Sequence, residues 1–276
     1  MNNKKIIVGI DFSECSINAL KHAIDIANKS HSDILMVWVN KPDNKKAIFL
    51  IDSDKIKDAV KKQFEKLISK YQPNLKNVKM SYVIKEGKIY KEVTDFANKN
   101  NAFAIVVGTH GLSGFEEFWI GSNANRIVSS ANCPVFTVRL RINNNKELKK
   151  IVLPIDNTFN TRQKVPFTAL IAKSFKAKIH ILALYNIDNE GVKNIVDKYV
   201  KQTTNYLDKN KVKYSLDSTY ADNITDTTIK FAKKINANLI SIMDEQEKSI
   251  NNLFLGSYAQ QMVNNSPIPV LCIHAK

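Results

Sequence analysis

The feature that most constrains this chain is that it contains one sequence pattern twice. The segment "KKIIVGIDFS", beginning at Lys4, returns as "KKIVLPIDNT" from Lys149, and "IGSNANRIVSSANCPV" returns as "LGSYAQQMVNNSPIPV" 135 residues later. A duplication of this length predicts two domains of one fold. We place them at residues 1–140 and 149–276, with the polar stretch 141–148 as the linker.

Within each copy, short apolar runs alternate with helix-length amphipathic segments. The first copy contains "KKIIVGID", "DILMVWVN", "VKMSYVI", "AFAIVVG" and "PVFTVRL", and "SECSINALKHAIDIANKS" between the first two has helical spacing. This alternation predicts βαβ units. We expect an α/β fold of two tandem Rossmann-like, doubly wound domains. Each would be a five-stranded parallel sheet in the order 3-2-1-4-5, flanked by helices on both faces.

Composition argues against several function classes. The net charge is +15, but only four of the 41 basic residues are Arg, the residue favoured for bidentate phosphate and base contacts, which argues against nucleic acid as a partner. No apolar run is long enough to cross a membrane, and the N-terminus is a poor signal peptide. Three scattered cysteines predict reduced thiols rather than disulfides. We therefore expect a cytoplasmic protein without a membrane segment.

A glycine-rich loop, "GTHGLSGFEEFWIGS", follows the fourth predicted strand from Gly108. In a doubly wound sheet of the expected order, this loop and the end of the first strand flank the crevice where ligands bind. Gly108 and Gly111 would let the backbone approach a ligand, and Gly121-Ser122 opens a helix whose N-terminus suits a phosphate. Asp11 could bind ribose hydroxyls or a nucleotide-bound Mg²⁺. The alternatives are ordinary turns at the glycines and an N-cap role for Ser122.

The spacing G-x2-G-x9-G-S resembles the ATP-binding signature of the universal stress protein family, and the resemblance covers nearly the whole chain. It implies that the glycine loop wraps the ribose and phosphates, that the helix start holds the phosphates, and that the end of the second strand meets the adenine. The residues implied to bind ATP are Gly9, Asp11, Val39, Gly108, Thr109, His110, Gly111, Leu112, Ser113, Gly114, Gly121, Ser122, Asn123 and Ala124, with Asp11 also a ligand of any nucleotide-bound Mg²⁺.

The second copy departs from this signature. It has "MDEQEKSINNLFLGS" in place of the glycine loop. Gly256-Ser257 remains, but the first two glycines of the signature, at the positions of Gly108 and Gly111, are missing. Asp244, Glu245 and Glu247 would put negative charge where phosphates would lie. We therefore expect a second domain that binds no nucleotide. In the family the fifth strands of two domains commonly pair, which implies an intramolecular pairing of "PVFTVRL" with "IPVLCIH".

The resemblance implies a stress-response protein that binds ATP in its first domain and acts as a nucleotide-dependent switch or sensor. Two alternatives stay open: a slow ATPase and a scaffold that binds no nucleotide. The sequence has no G-x4-G-K-[ST] motif, and His110 has no carboxylate partner at a telling spacing, so no catalytic residue is assigned. A homodimer or a regulated protein partner is also possible, and the apolar insert near residues 41–55 could cover the ligand, dock a partner or begin the second helix.

Overall fold

A single ten-stranded sheet runs through the protein. The computed structural model describes residues 4–40, 53–109, 121–140, 147–185, 189–244 and 257–275. The strands are β1 (Lys4–Gly9), β2 (Ser32–Asn40), β3 (Met80–Glu86), β4 (Ala104–Gly108), β5 (Val135–Val138), β6 (Lys150–Ile155), β7 (Lys178–Tyr185), β8 (Tyr214–Tyr220), β9 (Leu239–Asp244) and β10 (Val270–His274). The helices are α1 (Glu14–Ser30), α2 (Ser53–Tyr71), α3 (Ile89–Lys99), α4 (Ser122–Ser130), α5 (Val165–Phe175), α6 (Glu190–Lys209), α7 (Ile224–Lys234) and α8 (Ser257–Asn265), with a 3₁₀ turn at Gln72–Asn74.

The strand order confirms the predicted topology. It is β3-β2-β1-β4-β5-β10-β9-β6-β7-β8, so each half has the order 3-2-1-4-5, and all pairs within a half are parallel. The fifth strands of the two halves pair antiparallel, with Val270 opposite Thr137 and Cys272 opposite Val135. The halves therefore share one continuous sheet instead of forming two separate ones.

The side chains of alternate residues along each buried strand pack into two apolar layers, one on each face of the sheet. Ile6 and Val8 of β1 belong to the layer that includes α1, whereas Ile7 packs with Val93 of α3 and Ile127 of α4 in the other layer. All three β1 side chains are fully buried. This explains why the strands appear in the sequence as continuous apolar runs, since parallel strands covered on both faces have no solvent side.

Helix ends show the repeat at the level of backbone angles. α1 begins after Ser13, whose hydroxyl accepts a hydrogen bond from the Ser16 N–H at 3.2 Å. The C-cap residue that follows its last turn, His31, has a φ of 52°. α5 ends in the same left-handed conformation at Lys176, with φ of 54°. Such a residue closes a helix before the chain enters the next strand. Among the helices of the described ranges, none is both long and apolar enough to cross a membrane.

Candidate functional site

A cleft of about 200 Å³ opens where β1 and β4 end, at the point predicted from the strand order. All the predicted site residues that the structure describes line it: Gly9, Asp11, Val39, Gly108, Thr109, Gly121, Ser122, Asn123 and Ala124. The other five predicted residues, His110, Gly111, Leu112, Ser113 and Gly114, lie outside the described residues. The apolar segment 47–51 does as well.

Asp11 follows β1 and has one carboxylate oxygen committed to the local turn. Its Oδ1 accepts hydrogen bonds from the Ser13 N–H at 3.0 Å and the Ser13 hydroxyl at 2.6 Å. The Asp11 N–H lies 3.4 Å from the Ser16 hydroxyl. Its Oδ2 receives no hydrogen bond in the described part of the chain. The turn therefore fixes the carboxylate at the cleft and leaves one oxygen for a ligand.

Val39 presents its main chain to the cleft. The Ile10 N–H donates to the Val37 carbonyl at 2.9 Å, so the backbone of Val37 faces β1, while the Asn40 carbonyl accepts from the Gly87 N–H on the opposite side at 3.0 Å. Backbone groups alternate in direction along a strand, so the N–H and carbonyl of Val39 also face the β1 side. Because β1 ends at Gly9, no strand partner is present there, and these groups border the cleft.

Gly108 is needed for packing as well as for the cleft. A Cβ at this position would lie 2.9 Å from Cys15 Sγ and 3.0 Å from the Cys15 backbone C and O atoms, at the start of α1. Side-chain carbons do not approach backbone atoms so closely. The close approach predicted for this glycine is therefore made, at least in part, with α1 of the same half.

The two ends of the glycine loop are joined. The Gly121 N–H donates to the Thr109 carbonyl at 2.6 Å, and the Thr109 N–H donates to the Val138 carbonyl of β5 at 3.0 Å. A Cβ on Gly121 would lie 3.3 Å from the Thr109 carbonyl oxygen. These bonds hold the start of α4 against the end of β4.

The N-terminus of α4 faces the cleft without a side-chain cap. Gly121 is the N-cap residue, no side chain of the described residues caps the helix, and its first turn carries no acidic residue. Ser122 is the first helical residue, so the alternative reading of Ser122 as the N-cap is wrong. Uncapped N–H groups and the positive end of the helix dipole together favour an anion at this end.

Sequence reasoning missed the apolar wall of the cleft. Ile89 and Val93 of α3 and Ile127 of α4 line it, together with Val37 and Val107 from the strands. Their spacing along the helices is the ordinary signal of a buried face, so nothing in the sequence separates wall from core. This wall gives the cleft an apolar side opposite the polar N-terminus of α4, as expected for a ligand with a flat apolar part and a charged part.

The corresponding cleft of the second half has larger residues at its edges. It measures about 330 Å³, and its lining includes Pro154, Met243 and Tyr258. In the repeat these positions correspond to Gly9, Gly108 and Asn123 of the first half. The second half thus lacks two of the positions without a side chain that border the first cleft.

Polar groups of the second cleft already bind one another. Asp156 Oδ1 accepts hydrogen bonds from the Thr158 N–H at 2.9 Å and the Thr158 hydroxyl at 2.5 Å, as Asp11 does from Ser13. The buried Lys164 donates to the Thr161 carbonyl at 2.6 Å and to its hydroxyl at 2.9 Å. Burial, and then the nearby Asp156 carboxylate, raise the pKa of Tyr258, which keeps that phenol neutral.

Neither cleft contains a ready metal centre in the described ranges, where no three His, Cys, Asp or Glu side chains cluster. A second buried polar pair lies at the ends of β9 and β10, where His274 Nδ1 is 3.0 Å from Asp244 Oδ2. Asp244 is fully buried. Among its described lining residues the first cleft offers one carboxylate, that of Asp11, which suits a cation carried in by a ligand better than a resident one.

Comparison with known proteins shows the family of this chain. The profile of the universal stress protein family matches residues 2–139 and again residues 147–274. The universal stress protein MJ0531 of Methanocaldococcus jannaschii is 31% identical over 139 residues, a match that spans 49% of this chain and 82% of that protein. The universal stress protein YxiE of Bacillus subtilis is 27% identical over 149 residues, spanning 49% of this chain and 98% of YxiE.

The whole two-domain arrangement also has a solved counterpart. A universal stress protein from Archaeoglobus fulgidus superposes with a TM-score of 0.76, covering 99% of each chain at 16% identity. At that identity the likeness concerns the fold. With the family profile matching both halves, the chain belongs to the universal stress protein family, as two consecutive domains.

Proposed function

We propose that this protein binds an adenine nucleotide, ATP, in the cleft of its first half and acts as a nucleotide-dependent switch or sensor in a stress response. The observation that carries the proposal is the convergence, in one cleft, of an uncapped helix N-terminus, the outward-facing backbone of Val39 and one available oxygen of Asp11. These groups match the phosphates, the base and the ribose of one ligand.

Each part of the nucleotide has a partner of suitable chemistry. The backbone N–H and carbonyl of Val39 complement the donor and acceptor edge of adenine, against the apolar wall of Val93 and Ile127. The free Asp11 oxygen accepts from ribose hydroxyls or binds Mg²⁺ held by the phosphates. The N–H groups of Ser122, Asn123 and Ala124 receive the phosphates, with no acidic side chain in that turn to repel them.

The lining favours holding a nucleotide over hydrolysing it. The described lining contains no His, Lys or Cys side chain that could transfer a proton in the working pH range. Asp11 is the only carboxylate among the described lining residues. One of its oxygens is occupied by Ser13. A retained nucleotide would then stabilise the first half, and through β5 and β10 affect the second half.

The second half, in this proposal, binds no nucleotide and serves as a folded partner. Pro154 and Met243 place side chains where the first cleft has glycines, and Tyr258 stands at the start of α8, where phosphates would approach. The acidic sequence that follows β9 adds repulsion of phosphates.

The test is mass spectrometry of the small molecules released when the purified protein is denatured. The wild-type protein should release an adenine nucleotide at about one equivalent, which is one site per chain and not two. Gly121→Glu should release none, because a carboxylate would stand beside the phosphates and its Cβ would press on the Thr109 carbonyl. The matched control is Gly256→Glu at the equivalent position of the second half, which should release as much as the wild type.

Retention of nucleotide by Gly121→Glu, or its loss from Gly256→Glu alone, would contradict the assignment of the site. If the wild type releases nothing, and added ATP causes no thermal shift, the scaffold alternative stands instead.

Switching itself is tested by hydrogen exchange with and without ATP. Slower exchange should extend from α4 across β5 into β10, and protection confined to the cleft would argue against communication between the halves.

A further inference from the structure

The two halves meet at two equivalent places, and among the described residues only one of them is filled by side chains. The strand order is the same read from either edge and β5 pairs antiparallel with β10, so an approximate two-fold axis relates the halves. At one place Phe103, just before β4, meets Phe167 of α5, with ring centroids 5.1 Å apart. By the repeat, the equivalent positions at the other place are Asn238 and His22.

A cavity lies at the place where Asn238 and His22 stand at the positions of the two aromatic rings. Asn238 and His22 both line a space of about 400 Å³ between the halves, distinct from the two strand-end clefts. Its apolar side consists of Phe136 and Leu239 from the sheet, Phe175 from α5 and Pro269 before β10. Phe103 and Phe167 show that side chains can fill the equivalent space at the other place. The two halves can therefore pair without leaving a cavity between them.

The polar rim of this interdomain cavity carries a cation without an ion pair. Glu147 is 3.3 Å from Lys149, which is its partner. Burial, opposed in part by Lys29 one turn along α1, raises the pKa of Asp25 and so disfavours its charged form. Lys76, which also lines the cavity, makes no ion pair within the part of the chain that the structure describes. The rim therefore favours a negatively charged group near Lys76.

The imidazole of His22 completes the wall. Its Nε2 is buried and has no hydrogen-bond partner among the described residues. Burial lowers the pKa of His22 to about 4, so the ring is neutral at physiological pH and adds no charge to this side. The cavity thus combines an apolar floor, a neutral wall and one cationic edge, at the kind of domain interface where ligand sites concentrate.

We propose that the interdomain cavity is a second ligand site, which takes a small organic anion with an aromatic or aliphatic body. The apolar body lies against Phe136, Phe175 and Leu239, and the anionic group meets Lys76 at the rim. The site depends on the tandem arrangement, because its walls come from both halves. It does not rest on nucleotide binding in the first cleft.

The test uses 1-anilinonaphthalene-8-sulfonate, an aromatic anion whose fluorescence rises in apolar surroundings, titrated into the full chain at pH 7.5 with saturating ATP. We expect saturable binding at one equivalent. The double variant His22→Phe, Asn238→Phe recreates the aromatic pair of the filled place. It should abolish this binding. Because the variant also removes the hydrogen bonds that Asn238 Oδ1 accepts from the Lys149 and Lys150 N–H groups at 2.9 and 3.0 Å, its folding is checked by circular dichroism before the titration.

A milder variant keeps the test decisive if the double variant does not fold. Lys76→Gln, at an exposed position, should weaken binding about threefold, as expected for one exposed charge. Lys62→Gln, on an exposed face of α2 and outside the cavity lining, is the matched control and should bind as the wild type does. Absence of probe binding, binding that survives the double Phe variant, equal affinities of the two Lys variants, or displacement by ATP would each overturn the proposal.

Discussion

His22 should make the stability of this protein depend on pH in a calculable way. Burial lowers its pKa from 6.5 to about 4. Between these values the unfolded chain binds a proton that the folded protein excludes, so stability is lost as the pH falls through this window. At 1.36 kcal/mol per pKa unit the complete effect is about 3.4 kcal/mol, and by pH 5.0 about 2 kcal/mol of it is already lost.

The assay is urea unfolding followed by circular dichroism at pH 7.5 and pH 5.0, for the wild type and for His22→Gln. The wild type should lose about 2 kcal/mol more unfolding free energy between the two pH values than the variant does. Burial also raises the pKa of Asp25, which changes stability with pH in the opposite direction, since the folded state then holds a proton more tightly. Asp25 is present in both proteins, so its effect largely cancels in the comparison.

The control is His31→Asn, which removes an exposed imidazole from the left-handed C-cap of α1, a conformation that Asn also adopts readily. It should keep the pH dependence of the wild type. If His22→Gln and the wild type lose the same stability between pH 7.5 and 5.0, the reasoning about the buried imidazole is refuted.

Two packing predictions follow from single contacts. Gly108→Ala should lower the unfolding free energy by about 1–3 kcal/mol in urea titrations, because its Cβ would lie within 3.0 Å of the Cys15 backbone. An unchanged urea midpoint of unfolding would mean that α1 moves away from the new Cβ at no cost in stability. Ser241→Ala should cost about 1 kcal/mol, seen as a lower melting temperature, because it removes a fully buried hydrogen bond of 2.7 Å to Thr168. The cost stays moderate because the Thr168 hydroxyl still donates to the Lys164 carbonyl. A loss of unfolding free energy above about 3 kcal/mol would show that this remaining hydrogen bond does not satisfy Thr168.

The outline of the fold could be predicted because the repeat and the strand–helix alternation leave few topologies. Crossovers of one hand restrict the topologies that five parallel strands and their helices can adopt, and the order 3-2-1-4-5 expected for a doubly wound sheet is found in each half. The start of α4 at Ser122 was also predicted, from glycine followed by a helical pattern. Strand ends were less certain: β1 ends at Gly9, although its apolar run continues to Ile10.

The first cleft was partly predictable for a related reason. Strand order places the ends of β1 and β4 side by side, so the residues that follow them must meet. The roles within the cleft were less accessible. That a Cβ at Gly108 would meet Cys15, and that the backbone of Val39 faces the end of β1, depend on how α1 and β2 sit against the strand ends.

The sequence by itself determined that there are two copies of one α/β unit, and that only the first keeps the glycine spacing, because both are properties of residues close together in the chain. The pairing of β5 with β10 was expected from the family resemblance, and the structure confirms it. Only the tertiary structure decided that, among the described residues, one of the two equivalent contacts between the halves is filled while the other is open. Phe103 and Phe167, like His22 and Asn238, lie far apart in sequence, and each has an ordinary place on its own element. Whether such a pair closes a space depends on the volumes that meet across the interface, and that quantity exists only once the chain has folded.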